Sequence, residues 1–361
     1  MKLKVGVIFG GKSSEHEVSL MSATSILKVM DKNKYEVIPI GITREGEWYI
    51  YKGDFEKILK DEWLPEAKKA YMPSDNGYKG IFTIENGKVE KHELDVVFPV
   101  LHGPNGEDGT IQGLFELAGI PYVSCNVLSS SVAMDKVFTK RLLEQAGLPQ
   151  AHYKVYMKND ITKSLEQTIK DIEQNFEYPC FIKPANLGSS VGITKAHNEK
   201  ELAEGLKLAS KYDRKILVEE FIEGREIECS VLGNDNPKAS LPGEIIPCNE
   251  FYDYQAKYFD EGKSRLLIPA PLSEEKTEEI KQLAVKAYKA LDCQIMARVD
   301  VFLQKDTQKV YINELNTIPG FTKISMYPKL WEASGLSYSK LIDELIRLSI
   351  ERFEENRSQS I

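Results

Sequence analysis

The chain has 361 residues, 42% of them hydrophobic and 28% charged, with 24 Gly and 16 Pro. That balance belongs to folded globular proteins and excludes collagen-like, disordered and membrane-embedded classes. At roughly 150 residues per domain the length predicts two or three domains. The 47 basic and 55 acidic residues leave a net charge of −8, which speaks against nucleic acid or a membrane as partner, since both need a broad basic footprint, yet leaves room for a small cationic pocket.

From the amino terminus, KVGVIF over Lys4 to Phe9 reads as a buried strand. Its apolar run stops at Gly10 with no small-residue cleavage site beyond it, so a strand is expected there and not a secretory leader. Ser14 and Glu17 form a capping-box pattern that opens a helix with Val18, Met21 and Ile26 among its apolar positions. A second strand, YEVIPIGIT, begins at Tyr35, and the stretch from about Phe55 to Tyr78 is polar and irregular. IFTI, the turn Glu85-Asn86-Gly87 and KVE predict a hairpin. The buried strand in LDVVFPVLHG, a glycine-rich loop, a helix over Thr110 to Leu117 and the short strand PYVS then complete an open α/β unit near Asn126.

A helix is expected from Ser129 to Gly147, with Pro149 as its stop signal. HYKVYM, CFIKP, VGITKA and ILVEEFI follow as strands, with helices near Ser164 to Phe176 and Asn198 to Lys211, and a second, α+β unit closes near Gly224. The third section carries strands EIECSVLG and GEII, a Tyr-rich loop, a helix over Ser273 to Leu291, two more strands and a helix around Leu341 to Phe353. No apolar stretch approaches the roughly 18 residues of a membrane span. The five cysteines are scattered and never arranged as CxxC, so neither a disulfide framework nor a zinc site is expected, and a reducing cytoplasm fits best.

Several segments carry chemistry. GVIFGGKS from Gly6 satisfies the P-loop pattern, but Val7, Ile8 and Phe9 finish a strand and leave too little loop to wrap a phosphate, so the match is read as accidental. The Gly10-Gly11 turn instead leads to a helix start where free amides favour an anion. Glu15 beside them would suit the ammonium of an amino acid, or would serve as a helix-start charge. HGPNGEDGT from His102 lies between a strand and a helix, where open α/β sheets bind ligands, and reads otherwise as a plain Gly-rich turn. IKPANLGSSVGI from Ile182 offers Lys183 and a loop able to close over phosphates, or a polar-tipped hairpin. FYDYQAKYFDEGKSR from Phe251 reads as a lid or as a loop packed in a groove.

The densest constellation is the hairpin of IMARVDVFLQ and KVYINELN. A turn centred on Thr307 sets Asp300 opposite Glu314 and Arg298 opposite Asn316, all on one face. Solvent-exposed alternation would give the same pattern, but the mostly apolar residues around these positions favour partial burial, and buried carboxylates need a counter-charge. Without nearby His or Cys, oxygen donors select a hard ion such as Mg²⁺ over zinc, and metal plus Arg is equipment for phosphoryl transfer.

GGKSSEHEVS, LHGPNGEDGTIQG, MDK, IKPANLGSSVG, VEEFIEG, FYDYQAKY, ARVDVF and NELNTIPG resemble, in order and spacing and over essentially the whole chain, the successive signatures of the D-alanine:D-alanine ligases of the ATP-grasp superfamily. The resemblance implies a three-domain α/β ATP-grasp architecture: an open parallel α/β domain over residues 1–126, then two α+β domains, 127–224 and 225–361, that clamp ATP. It further implies that ATP phosphorylates one D-alanine and the amine of a second attacks the acyl phosphate. Glu15 would hold the first substrate's ammonium, with His102 among the substrate-binding groups. Lys136, Lys183 and Lys257 would reach the ATP phosphates, under a loop carrying Ser189 and Ser190. Glu219, the backbone at Ile222, and Glu226 would place adenine and ribose, with Phe302 on the base. Asp300, Glu314 and Asn316 match ligands of two Mg²⁺ ions, with Mn²⁺ an alternative. Arg298 would stabilise the transferring phosphoryl group and, with the Gly320 amide, the tetrahedral oxyanion. Ser325 and Met326 match the surroundings of the second substrate's carboxylate, and Ser189, Tyr258 and Glu15 could form a hydrogen-bond path.

Two positions qualify the match. Glu220 stands where some relatives carry Lys, and Tyr258, where depsipeptide-forming relatives often have Phe, favours D-alanine over D-lactate as nucleophile. A homodimer is the expected assembly. A different kind of reading, a nucleotide-binding module without catalysis, would have no need of Arg298, Asp300, Glu314 and Asn316 together.

Overall fold

The structure, a computed structural model, describes residues 2–188, 190–246 and 265–358. Ser189, Lys257 and Tyr258, three of the expected site residues, lie outside the described residues.

The first sheet has seven strands: β1 (Leu3–Gly10), β2 (Tyr35–Ile42), β3 (Trp48–Ile50), β4 (Lys68–Tyr71), β5 (Gly80–Glu85), β6 (Lys88–Glu93) and β7 (Val96–Pro99), in the order β6-β5-β4-β3-β2-β1-β7. Only β7, β1 and β2 run parallel; the extension from β2 to β6 is antiparallel. The region expected to be irregular thus supplies β4 and a short helix, α2 (Phe55–Leu59), while the hairpin turn falls on Asn86 and Gly87, both at positive φ as its sequence requires. Alternation along β1 sends Val5, Val7 and Phe9 into one core with α1 (His16–Val29), and Ile8 into another with α3 (Thr110–Ala118). With both faces covered, the carboxyl ends of β1 and β7 remain as the open edge. Gly10 is already strand, which removes the P-loop reading.

Two local expectations change. α1 starts one residue later than the capping box demands, with Glu15 at the N-cap and no side-chain cap bond. The helix expected over Ser129 to Gly147 is two, α4 (Val127–Met134) and α5 (Lys136–Gln145), because Asp135 takes an extended conformation and caps the amides of Val137 and Phe138. These helices were grouped by sequence with the central unit. Their buried Ala133 and Leu143 pack in the core beneath the third sheet.

The second sheet, in the order β10-β9-β11-β8, joins β8 (Tyr153–Met157), β9 (Cys180–Pro184), β10 (Thr194–Ala196) and β11 (Lys215–Glu220), all antiparallel. Cys180, Ile182, Ile216 and Val218 face α7 (Leu165–Asn175) and α8 (Glu199–Tyr212). Period two then sends Lys183, Leu217 and Glu219 to the opposite face. α6 (Lys158–Lys163) precedes α7.

The third sheet contains β12 (Gly224–Leu232), β13 (Lys238–Ala239), β14 (Gly243–Ile246), β15 (Arg265–Leu267), β16 (Met296–Gln304) and β17 (Val310–Asn316), in the order β15-β14-β12-β16-β17 with β13 on β12. α9 (Glu274–Ala290) covers its back, where Cys229, Val299, Val301 and Leu315 are buried. α10 (Met326–Ala333) and α11 (Tyr338–Ser358) follow, and Leu341, Ile342 and Leu345 of α11 enter the same core as β1. Among the described residues no helix is long and apolar enough to cross a membrane. Cys125, Cys180, Cys229 and Cys293 are free and buried.

The first unit contains one tight test of packing. Trp63 is 1% exposed, and Phe9, Tyr49 and Tyr51 meet its ring edge-on with centroids 5.1, 6.2 and 6.4 Å away. A Cβ on Gly41 would come 2.4 Å from two carbons of that ring. Gly41→Ala should therefore cost about 1–3 kcal/mol through overpacking, read as a lower urea midpoint at unchanged slope.

Candidate active site

Parallel pairing of β1 with β7 sets their following loops side by side. The first carries Glu15, 5% exposed, and the second carries His102 and Gly103. Gly103 has φ +72°, and a Cβ there would come 2.6 Å from Glu15 Oε2. A Cβ on Gly188 would lie 3.3 Å from the same oxygen. Three loops from two sheets thus meet at one carboxylate.

His102 and Glu107 reach across to the loop after β17. His102 Nδ1 lies 3.1 Å from the Ile318 carbonyl and Nε2 lies 3.3 Å from Ser22 Oγ. The carbonyl requires the proton on Nδ1, leaving Nε2 to accept. Burial, and secondarily the charge of Arg298, lower the imidazole to about 4 against a supporting bond to Ile318. The Ile318 amide donates to Glu107 Oε1 at 3.2 Å, and the Gly103 amide donates to Oε2 at 2.8 Å. Burial and the neighbouring Glu15 push Glu107 up to about 8. Glu107 was missed by the sequence reading, although it sits inside the quoted HGPNGEDGT.

On the second sheet, Glu219 is 3% exposed and lies between two ammonium groups, Lys140 of α5 and Lys183 of β9, the latter at 2.5 Å. Burial would raise its pKa; Lys140 and then Lys183 overcome that and hold it down at about 2. Lys140 is itself 2% exposed. Lys136 donates from Nζ to the Leu187 carbonyl at 2.6 Å and stands 3.8 Å from Glu314 Oε2. It therefore links the loop that carries Ser190 to the third sheet. Ser190, at φ +59°, lies in a turn closed by the Ile193 amide on its carbonyl at 3.3 Å.

The front of the third sheet holds the densest group. Arg298 Nε and Nη2 each donate to an oxygen of Asp300 at 2.7 Å, and Nε lies 3.0 Å from Glu228 Oε2. Asn316 Nδ2 donates to Asp300 Oδ2 at 3.0 Å. Asp300 pairs with Glu314 and Arg298 with Asn316, as expected, but for an additional reason. Near the turn the register is one residue off a centre at Thr307, with Val301 opposite Ile312. A β-bulge that leaves Asn313 unpaired restores the register at Asp300 and returns Glu314 and Asn316 to the front. Glu226 faces Phe302 across β12 and β16, and Glu228 faces Asp300. Glu228, buried at 6% exposure, was also missed; a strict alternation with Glu226 along EIECS is the signal that could have found it.

Ser325 N-caps α10 and its hydroxyl accepts from the Thr322 amide at 2.9 Å. Gly320 approaches so closely that a Cβ would be 2.7 Å from Ser325 Oγ. The Met326 side chain packs with Ile245 and Leu330, so only its backbone is left for a ligand. Ile222 is buried in the turn between β11 and β12.

Asp300, Glu314 and Asn316 offer oxygen ligands on one face of the β16–β17 pair, a set that fits a hard divalent cation. Among the described residues no three His, Cys, Asp or Glu side chains gather to hold an ion alone, so a bound cation would draw further oxygens from its phosphate partner.

Two sheets facing each other, one presenting lysines and the other carboxylates with an arginine, make an ATP-grasp architecture, the class of enzymes that clamp a nucleotide to activate a carboxylate. Residues 4–125 match the family model described as the D-ala D-ala ligase N-terminus, and residues 142–347 match the D-ala D-ala ligase C-terminus. The chain belongs to the D-Ala–D-Ala ligase family. It is 62% identical over 354 residues to the D-alanine–D-alanine ligase of Thermoanaerobacter sp. (strain X514), covering 98% of each chain. It is 55% identical over 368 residues to that of Acetivibrio thermocellus, again covering 98% of each. Among solved structures, the D-alanine-D-alanine ligase from Coxiella burnetii superposes with a TM-score of 0.87 at 40% identity, over 99% of this chain and 96% of that one. The VanG D-Ala:D-Ser ligase from Enterococcus faecalis gives 0.87 at 42%, over 97% and 100%.

The neutral buried His102 makes stability pH-dependent. Its folded value of about 4 lies below an unfolded value near 6.5, so its contribution is complete above pH 6.5 and drains away as pH falls toward 4. Between pH 7 and pH 5 this amounts to about 2 kcal/mol. His102→Gln should lose that much less over the same interval, as read from urea midpoints at the two pH values.

Proposed function

We propose that the site residues divide between them the steps of ATP-dependent ligation of two D-alanines. The observation that carries the assignment is the shared face of Arg298, Asp300, Glu314 and Asn316, met by Lys136 from the opposite side. As a member of its family the chain is an ATP-dependent ligase forming D-alanyl-D-alanine through a D-alanyl phosphate, for peptidoglycan precursors.

A carboxylate does not react with an amine until one oxygen becomes a leaving group, so the first step transfers the γ-phosphoryl group to the first D-alanine. Glu15 holds its ammonium, with Glu107 beside it. Lys136 and Lys183, joined by Lys257 and the amides around Ser189 and Ser190, receive the phosphates. Glu219, the Ile222 backbone and Glu226 hold adenine and ribose, against Phe302. Asp300, Glu314 and Asn316 would hold two Mg²⁺ ions, or Mn²⁺, whose charge offsets that of the phosphates. Arg298 turns from its carboxylate partners to the transferring group and then, with the Gly320 amide, to the oxyanion formed when the second amine attacks. Ser325 and the Met326 amide receive the second carboxylate, with His102 fixing the loop that bears them. Phosphate leaves as the peptide bond forms. Holding the reactants in line can supply roughly 7–11 kcal/mol of the barrier reduction. The three domains, divided near Asn126 and Gly224, a homodimeric assembly and a cytoplasmic location belong to the same proposal.

Purified protein given ATP, Mg²⁺ and D-alanine should release phosphate and dipeptide in equal amounts; nucleotide binding without D-alanine-dependent turnover would instead indicate a binding module. Glu314→Gln should lower turnover on the order of 100-fold or more while keeping the fold, measured as kcat alongside the circular dichroism melt.

Tyr258→Phe should admit D-lactate more readily, seen as a rise in depsipeptide over dipeptide when both nucleophiles compete across a pH series.

A further inference from the structure

Lys140 belongs to none of the quoted motifs, yet it is the most deeply buried lysine of the cleft. Its side chain, 3% exposed, leads to an ammonium paired with the fully enclosed carboxylate of Glu219. The ammonium also stands 5.3 Å from the centre of the Tyr153 ring. The backbone of Lys140 is held in turn, since Gln150 Nε2 donates to its carbonyl at 2.8 Å. A buried ammonium is costly unless its partner needs it.

Glu219 has a second partner, Lys183 at 2.5 Å. Lys183 is assigned to the nucleotide phosphates, so in the ATP complex a far stronger anion competes for it. Once Lys183 turns away, Glu219 is a buried carboxylate whose one remaining counter-charge among the described residues is Lys140. An ionised carboxylate is purely an acceptor, which suits the exocyclic amine of a 6-amino purine and repels the oxygen of a 6-oxo purine. A protonated one could donate to that oxygen and would lose the distinction.

We propose that Lys140 is a positioning residue for base recognition: it keeps Glu219 a pure acceptor while Lys183 serves the phosphates, and so sets the preference for 6-amino over 6-oxo purine nucleotides. The inference rests on the assignment of Glu219 to the base made above.

The test compares kcat/KM for ATP and ITP in the full-length protein at saturating D-alanine. Lys140→Met should shrink the ATP:ITP ratio by about 10-fold or more, and Lys140→Arg should restore it to within about threefold of wild type. An equal loss on both nucleotides, leaving the ratio unchanged, would mean that Lys140 only supports the fold and would overturn the proposal. Glu219→Gln separates the two levels of argument. If it leaves the ratio intact, the assignment of Glu219 to the base is at fault; if it collapses the ratio while Lys140→Met does not, only the role of Lys140 fails. Should the single Met variant not fold, the double variant Lys140→Met with Glu219→Gln removes both charges of the buried Lys140–Glu219 pair. Its ratio should equal that of Glu219→Gln alone, and any further fall would contradict action through Glu219.

Discussion

The site depends on one guanidinium held between two carboxylates. Arg298 is clamped by Asp300 within its own strand and by Glu228 on the neighbouring strand. Such a pair gives little net stability, because desolvation consumes most of the Coulomb gain, but removing one partner strands a buried charge. The arrangement therefore fixes geometry more than it adds stability. It also leaves the front of the third sheet with one positive and two negative groups before Glu314 is counted, a local excess that attracts a cation. Across the cleft, Lys140 and Lys183 share the single carboxylate of Glu219, an excess of the opposite sign that attracts phosphate. A metal–triphosphate complex has its charges arranged in the same sense, and Lys136, between Leu187 and Glu314, marks where the two poles meet.

One polar tie between the first unit and the third runs through a single residue, Ile318. His102 Nδ1 donates to the Ile318 carbonyl, and Glu107 accepts from the Ile318 amide, so both backbone polar atoms of that residue are bound by one loop of the first sheet. Three residues on, the Phe321 amide donates to Ser22 Oγ at 3.2 Å, and its ring meets Phe98 edge-on at 6.0 Å. Gly320 and its amide are thereby positioned from both sides. The second sheet is joined on its site-facing side by a much smaller core of Val137, Ala185 and Leu217. Cohesion is unequal: the first and third sheets share a large apolar core, while the site-facing side of the second sheet rests on few apolar contacts and on ion pairs.

Much of this could be read from residue order because strand periodicity is a strong constraint. Even spacing of Arg298 and Asp300 put them on one face, and the structure agrees. The register across the hairpin was right at Asp300 only because an Asn313 bulge compensated a turn centred elsewhere, and no local residue signal announces a bulge of that kind. Helix starts were less legible. The Ser14/Glu17 pattern fits a capping box, yet Glu15 occupies the cap, since the Ser13 hydroxyl accepts the Glu15 amide at 3.1 Å and the turn closes earlier. Partners of buried charges were least legible of all. Lys140, Glu107 and Glu228 lie on three different elements, and what makes each important is a contact 79, 211 or 70 residues away along the chain, to Glu219, Ile318 and Arg298.

That last class explains why a net charge of −8 says nothing about the cleft. Exposed charges such as Lys68 with Glu85 or Arg347 with Glu344 act through water and are screened within about 8 Å at physiological salt. The site charges act inside the protein, where the effective dielectric is several-fold lower and each ammonium or carboxylate has a fixed neighbour. A buried group's behaviour is then set by which single partner it has and whether a ligand can take that partner away. Lys183 and Arg298, like Lys136 with Glu314, have carboxylate partners that a phosphate could replace, and for the first two a companion, Lys140 for Glu219 and Asn316 for Asp300, stays behind on the carboxylate. In the proposed reaction these contacts are the positions from which the charged groups start.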